Sequence, residues 1–272
     1  MHNPDRFSGK LIVLIPHYNH PDELEKTILS IDEPFEVDVL VVDDGSQLKP
    51  NAEKLKSQYK NGKLFIEFMT ENGGIGIALN NGLKKIEELG YALIARLDCG
   101  DLNKKNKYLK QLMFLEANPQ VKLLGTWADM VDEKGNLLFV LKHPTTHEEI
   151  KKKMYLNNRF VHPTVVFYTE ILKTTGYYSD KYKRAAQDYD LFFKVIKNFE
   201  VANLPESLLT YVIDDKSIST KNRKLQVKNR ILIILENFKP GIYPVYSLIR
   251  NSMLYFMPRG ATTQLKKLIY KR

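Results

Sequence analysis

The sequence predicts an α/β fold, an open and mostly parallel sheet flanked by helices, and three observations carry that prediction. Four short apolar runs, "LIVLI" from 11, "VLVV" from 39, "LFIEFM" from 64 and "ALIARL" from 92, begin 28, 25 and 28 residues apart. Each gap has room for one helix, which is what a crossover between parallel strands requires. Helical periodicity fills the gaps, with Leu24, Ile28 and Ile31 in the first and Leu79, Leu83, Ile86 and Leu89 in the third.

Taken in order, each run ends in a polar or glycine-rich segment. The first is followed by "PHYN" (16 to 19), the second by "DDGS" (43 to 46), the third by "ENGGIG" (71 to 76) and the fourth by "DCGD" (98 to 101). Ligands of open parallel sheets bind beyond the carboxyl ends of the strands, so these four exits are where chemistry is expected. Past residue 105 the pattern changes. "KYLKQLMFLEANP" reads as a helix stopped before Pro119, and residues 121 to 144 as two strands around a turn at 133 to 136. "HPTVVFY" (162 to 168) reads as a further strand, and "QDYDLFFKVIKN" as a helix with Leu191, Phe192, Val195 and Ile196 on its apolar side.

Composition bounds the class. With 272 residues, 43% hydrophobic and 27% charged, the chain suits a globular protein with one large core and an appended segment. The single Cys99 excludes an intrachain disulfide and a multi-cysteine zinc site, in keeping with a reducing compartment. The polar stretch before Lys10 and the brevity of "LIVLI" do not read as a signal peptide, and no window has the apolar length of a membrane span, so a cytoplasmic location is expected.

At the fourth exit Asp98 and Asp101 flank Gly100. Carboxylates this close repel, and a cation between them relieves the repulsion. Oxygen ligands without a histidine or thiolate cluster suit Mn2+ or Mg2+. The alternative is a solvated turn in which Asp101 caps the next helix. In "DDGS", an Asp at a strand exit can accept hydrogen bonds from a ribose or a base, or the segment is an Asp-Gly turn with Ser46 as a cap. The glycines of "NGGIG" allow close approach of a ligand to the backbone, or make a plain connection.

That third exit also admits a dinucleotide-binding reading, because Gly74-x-Gly76 opens a helix and Asp98 lies 22 residues on. Leu79 stands where the third glycine belongs, however, and the first strand is followed by "PHYN" instead of glycines. Further on, Asp188 and Asp190 open an amphipathic helix, where an acid is favoured by the helix dipole or serves as a general base. His162 can contact a phosphate or an acceptor, or be a hydrogen-bonded structural residue. Cys99 reads as a packing residue.

Together "VLIPHYN", "VLVVDDGS", "ENGGIGIALNNGL", "ARLDCGDLN", "LLGTWADMVDEKGN", "HPTVVF" and "QDYDLF", in this order, resemble the family 2 glycosyltransferases of the GT-A fold, which build bacterial surface polysaccharides. The resemblance runs from about Lys10 to about Ser219. It implies a nucleotide-sugar donor, usually UDP-linked, with Pro16, Tyr18 and Asn19 lining the nucleoside pocket and Asp44, with Asp43, at the base or ribose. Asn72, Gly73, Gly74, Arg96 and Asp98 complete the donor side, and Asp98 and Asp101 stand at the family's acidic metal motif, implying Mn2+ or Mg2+. Asp188 falls at the catalytic base of the Glu-Asp motif, while His162 and Gln187 are assigned to acceptor or diphosphate. Two departures stand out: Gly100 replaces the aspartate common at the third position of the metal motif, and Gln187 replaces the glutamate of the Glu-Asp pair.

The resemblance divides the chain into a catalytic domain, 1 to 220, with a nucleotide-binding half at about 10 to 105 and an acceptor half at about 106 to 220, and a C-terminal segment, 221 to 272. That segment holds twelve Lys and Arg against the single acid Glu236, so the rest of the chain is slightly acidic although the net charge is +9. Basic residues mixed with Tyr, Phe, Met and Leu suit an anionic membrane surface, or a helical extension packed on the catalytic domain. No nucleic-acid-reading module accompanies the charge. The expected protein is an inverting transferase at the inner face of the cell membrane, acting on a lipid-linked saccharide. A nicotinamide-dependent oxidoreductase and a non-catalytic nucleotide-sugar-binding relative are the alternatives.

Overall fold

In the computed structural model, residues 4–182, 185–213 and 223–257 are described. The four apolar runs form β1 (Leu11–His17), β2 (Asp38–Asp43), β3 (Leu64–Phe68) and β4 (Leu93–Arg96). They pair in parallel in the order β3-β2-β1-β4, with Val13 opposite Val39 on one side and Ala95 on the other. Every residue of β1, β2 and β4 is buried, which is why these strands read as continuous apolar runs without alternation.

Side-chain alternation sends successive residues to opposite faces. Leu11, Val13 and Ile15 join the core under α1 (Pro21–Leu29) and α4 (Lys107–Ala117), through Leu24, Ile28, Tyr108 and Leu112. Ile12 and Leu14 join the opposite core, built with Ala78, Leu79, Leu83 and Ile86 of α3 (Ile75–Leu89) and with Leu191, Phe192 and Val195 of α7 (Gln187–Asn198). The short α2 (Ala52–Gln58) follows β2 and is capped by Asn51, whose side chain accepts from Lys54 N.

Beyond β4 the sheet continues with mixed pairing. The two-residue β5 (Leu102–Asn103) sits at its far edge, and β6 (Val121–Val131) and β7 (Leu137–Leu141) form the expected hairpin. The α5 helix (His147–Lys153) follows. The segment expected as a strand over 162 to 168 divides: His162–Thr164 is a 3-10 turn and only Val166–Tyr168 is β8. Pro163 lacks the N–H a ladder needs, and the turn releases His162 from the sheet. A short α6 (Leu172–Thr175) precedes α7.

The long β9 (Glu200–Val212) runs parallel to β6 and was not foreseen. Pro205 and Glu206 interrupt its apolar pattern, and the register with β6 shifts beside them, between Thr126 and Trp127.

The C-terminal segment contributes α8 (Arg223–Glu236) and α9 (Ile242–Phe256); residues 258 to 272 lie outside the described residues. Ile233 and Ile234 of α8 are buried, and Asn229 donates to Ala185 O at 2.9 Å. Ser247 of α9 donates to Tyr155 O at 2.5 Å, and Asn251 is fully buried. One side of the segment is therefore packed on the body of the protein. The other side of α9 exposes Ile242, Tyr246, Ile249, Met253 and Phe256, spaced as one helical stripe. Arg250, the only basic residue of α9, turns inward and donates to Leu156 O.

Candidate functional site

Because β1 to β4 are parallel, their exits lie along one edge of the sheet. The first exit is stapled to the second. His17 Nδ1 lies 2.7 Å from Asp43 Oδ2, while His17 Nε2 accepts from His20 N at 3.1 Å. An accepting Nε2 leaves the proton on Nδ1, so the imidazole donates to the carboxylate. Asp43 Oδ1 takes the Ser46 N–H at 3.0 Å, and the Asn19 side chain accepts from Gln47 N and Leu48 N at 2.8 and 2.9 Å. Asp43 is fully buried and Asn19 is turned to a protein loop, so these two hold the wall of the site. Pro16 is buried within β1, whereas Tyr18 is 46% exposed at the rim, where an aromatic face is free for stacking.

The second exit is locked to the third. Asp44 accepts from Gly73 N at 2.8 Å and from Gly74 N at 2.9 Å. Burial raises the Asp44 pKa, and the two N–H bonds oppose that rise. Gly45 between them has φ +65°, and a Cβ there would lie 2.4 Å from the Glu71 carbonyl carbon. Glycine is needed on both counts, since the loops meet backbone to backbone. Asn72 is exposed at the tip of the third exit.

The fourth exit carries the charge. Arg96 is fully buried and donates from Nη1 to Leu14 O and Leu97 O at 3.0 and 2.8 Å, and from Nη2 to Asp98 Oδ1. Its Nε points at His162 Nε2 at 3.4 Å, which also receives the Tyr178 hydroxyl at 2.8 Å. Burial and then the Arg96 charge lower the His162 pKa to about 4, while Asp188 and Asp98 pull the other way. The imidazole is thus neutral near pH 7 and acts as an acceptor. Burial works to raise the Asp98 pKa, but the Arg96 charge and hydrogen bond lead the opposing effects and the result is lowered.

Asp101 lies deeper. It is 5% exposed, its Oδ1 accepts from Val212 N at 3.4 Å, and its Oδ2 is buried without a hydrogen-bond partner. Burial, reinforced by the Asp98 charge, holds its carboxyl well above the ordinary carboxylate range. It does not cap the next helix, which begins six residues later after Asn106. Gly100 has φ +102°, and its N–H donates to Thr27 Oγ1 at 2.9 Å. A Cβ there would meet nothing within 4 Å, so the backbone conformation, and not space, excludes the aspartate usual at this position.

Lys107, buried beneath the loop, donates to Asn103 Oδ1 at 2.8 Å and to Pro163 O at 3.2 Å, next to His162. Burial lowers its pKa to about 7.

Asp188 occupies the first turn of α7 and accepts from Asn158 Nδ2 at 2.7 Å. Gln187 is buried at the start of the same helix. Asp188, Asp98 and Arg96 all act on His162 and on Tyr178, and Tyr211 feels Asp101, Asp98 and Asp188. The carboxylates of the fourth exit and of α7 therefore lie within electrostatic reach of the same two side chains, His162 and Tyr178. Sequence reasoning missed His17, Asn158, Tyr178, Tyr211 and Lys107. His17 stands inside the quoted "PHYN", but the others enter through tertiary contacts with no local signal.

Among the described residues no group of three or more His, Cys, Asp or Glu side chains converges as a metal cage. The partly exposed Asp98 and the unpartnered Asp101 Oδ2 supply two oxygen donors. Such a pair fits an Mn2+ or Mg2+ whose remaining ligands come from a diphosphate and water, and does not fit an ion held by protein alone.

Three comparisons bear on this arrangement. The chain is 30% identical over 184 residues to the O-antigen biosynthesis glycosyltransferase WbnJ of Escherichia coli, covering 66% of this chain and 69% of the relative. It is 29% identical over 167 residues to the E. coli UDP-Gal:alpha-D-GlcNAc-diphosphoundecaprenol beta-1,3-galactosyltransferase, covering 59% and 57%. The fold matches S. aureus TarS 1-349 in complex with UDP-GlcNAc with a TM-score of 0.65 at 18% identity, over 88% of this chain and 70% of that one. That likeness shows the GT-A architecture. The Glycosyl transferase family 2 model matches residues 12–173, which includes all four strand exits and the His162 turn, and on that match over more than half its length the chain belongs to this family.

Proposed function

We propose that this glycosyltransferase moves a sugar, with inversion, from a UDP-linked donor to a hydroxyl of a lipid-linked saccharide in the making of a bacterial surface polysaccharide. The observation that carries the reading is that Arg96 ties Asp98 and His162 together at the strand exits while Asp188 on α7 lies close enough to act electrostatically on His162. The exits suit a diphosphate, and Asp188 suits the role of proton acceptor. The printed names of the relatives support the substrate classes, O-antigen in one case and a UDP-sugar with a diphosphoundecaprenol acceptor in the other. The nucleotide-binding and acceptor halves, about 10–105 and 106–220, are assigned on the same grounds.

In this mechanism Tyr18 stacks on the base and the Asp44 loop orients the ribose, while the third exit, held by Asp44 through the Gly73 and Gly74 amides, lies against the donor. Asp188, aimed by Asn158, takes the proton of the acceptor hydroxyl as that oxygen bonds to the anomeric carbon. The bond from that carbon to the diphosphate breaks on the opposite face, and its electron pair leaves with UDP. Arg96, fixed by two carbonyls and backed by neutral His162, offers positive charge to the departing diphosphate. Asp98 and Asp101 would hold a divalent cation, which when bound neutralises phosphate charge.

The exposed stripe of α9 suits the surface of an anionic membrane. Beside it an open cavity of about 880 Å3 is lined by five lysines, Lys151, Lys152, Lys153, Lys197 and Lys239, and by Glu148 and Glu149, the latter paired with Lys153, together with Ile242 and Tyr243. The excess of lysine around an apolar edge suits anionic headgroups around an acyl boundary. No described helix is long and apolar enough to cross a membrane. A cytoplasmic, peripheral location follows from this reading.

A thermal-shift panel of UDP, GDP, CMP and NAD, each with and without Mn2+, tests the donor class. Ligand at about 100 times its Kd adds about 2.7 kcal/mol and moves the midpoint by several degrees. UDP should do so and NAD should not; a shift with NAD alone contradicts the reading.

A further inference from the structure

The segment that joins α5 to the His162 turn is a meeting point of positive charge. Asn158 in this segment holds Asp188, and the next residue, Arg159, donates from Nε to Lys153 O at 2.9 Å. Arg250 of α9 reaches the same segment at Leu156 O. Tyr189, the neighbour of Asp188, donates to Met154 O at 2.7 Å. Arg230 of α8 donates to Asn251 Oδ1, one residue from Arg250, at 3.4 Å. Arg159 and Arg250 are thus tied to the loop that aims Asp188, and Arg230 is tied to α9 beside Arg250, whose charge acts on both of the others.

All three are half-buried, and among the described residues their hydrogen-bond partners are carbonyl oxygens and one amide oxygen, with no ion pair to a carboxylate. Arg250 Nε is buried and has no acceptor among the described residues. Burial lowers the pKa of Arg159 and of Arg230; Tyr189 opposes the fall in both, the Arg250 charge adds to it, and Asp188 opposes it in Arg230. Half-buried cations that repel one another, with donors unspent, leave room for an anion. Planar guanidinium forks match phosphate oxygens in pairs.

We infer that Arg159, Arg230 and Arg250 form a cradle for the phosphate or diphosphate ester of the acceptor. The inference rests on the transferase reading, in which the donor's diphosphate lies at the strand exits with Arg96. Asp188 is bonded to the loop of the cradle through Asn158 and acts electrostatically on His162 at the exits. A glycosyl diphosphate held in the cradle presents its sugar hydroxyl toward Asp188.

The test is a calorimetric titration of inorganic diphosphate into the full chain already saturated with UDP, so that the donor site is filled. The cradle predicts binding that is weakened about tenfold or more in Arg159→Gln/Arg250→Gln. Arg250→Lys, which keeps the charge, should retain most of the affinity, and UDP affinity should be the same in all three proteins. Absence of diphosphate binding to the UDP-saturated chain, or equal binding by the double variant, overturns the cradle. Failure of the chain to bind UDP strikes the transferase reading instead. Farnesyl diphosphate as a second probe separates the sources: about tenfold tighter binding than inorganic diphosphate supports a lipid-borne phosphate, and equal binding overturns it in favour of a soluble glycosyl phosphate.

Discussion

Arg96 is a guanidinium wholly withdrawn from water, and the fold meets that cost with two carbonyls, one carboxylate and an imidazole. The imidazole must be neutral for this to work, because a protonated His162 would face Arg96 with a like charge. Its pKa of about 4 lies below the ordinary 6.5, so the unfolded chain binds the proton first as pH falls. The stabilisation from neutral His162 is complete above pH 6.5 and is lost progressively toward pH 4. Unfolding free energies of the wild type and of His162→Gln, measured across this window, should converge on acidification by about 2–3 kcal/mol. A constant difference between the two curves would mean that His162 is not held neutral. Asp101 differs, since among the described residues its buried oxygen lacks a partner and Gly100 withholds the second carboxylate that the metal motif would otherwise bring.

At the scale of elements, the site is made by loops locking to loops. Asp44 grips the amides of Gly73 and Gly74 because Gly45 lets the two backbones touch. Gly45→Ala combines a left-handed φ with a clash against backbone and should cost about 2–4 kcal/mol, read as a lowered denaturant midpoint. It should weaken UDP binding as well, whereas an unchanged midpoint would show that the loops can separate freely. This part of the molecule was legible in sequence, since four exits recur at a near-constant interval and parallel strands bring them to one edge. The acceptor side was less so. β9 was hidden by Pro205, the His162 turn was masked by the strand-like "TVVFY", and Asn158, Tyr178 and Tyr211 reach Asp188 or its pocket only through tertiary folding.

For the whole molecule, the basic C-terminal segment has two sides. Its inner side is packed, through Ile233, Ile234, Ser247 and Asn251, and its outer side exposes the α9 stripe beside a cavity lined by five lysines and two glutamates. Composition revealed the charge and the apolar content, but not that Arg250 would turn inward, because periodicity alone does not say which face meets the body. Ile249→Glu/Met253→Glu, at residues 57% and 63% exposed, should alter stability by no more than about 0.5 kcal/mol while abolishing co-sedimentation with phosphatidylglycerol vesicles. Undiminished sedimentation would remove α9 from the membrane contact.

The account as a whole depends on Asp188 being the base of a nucleotide-sugar site. The direct measurement is UDP release from a panel of UDP-sugars with a lipid-linked acceptor extract, by the wild type and by Asp188→Asn, alongside UDP affinity. The account predicts turnover lower by about 10²- to 10⁴-fold in the variant with UDP affinity intact. Turnover unchanged in Asp188→Asn would contradict it.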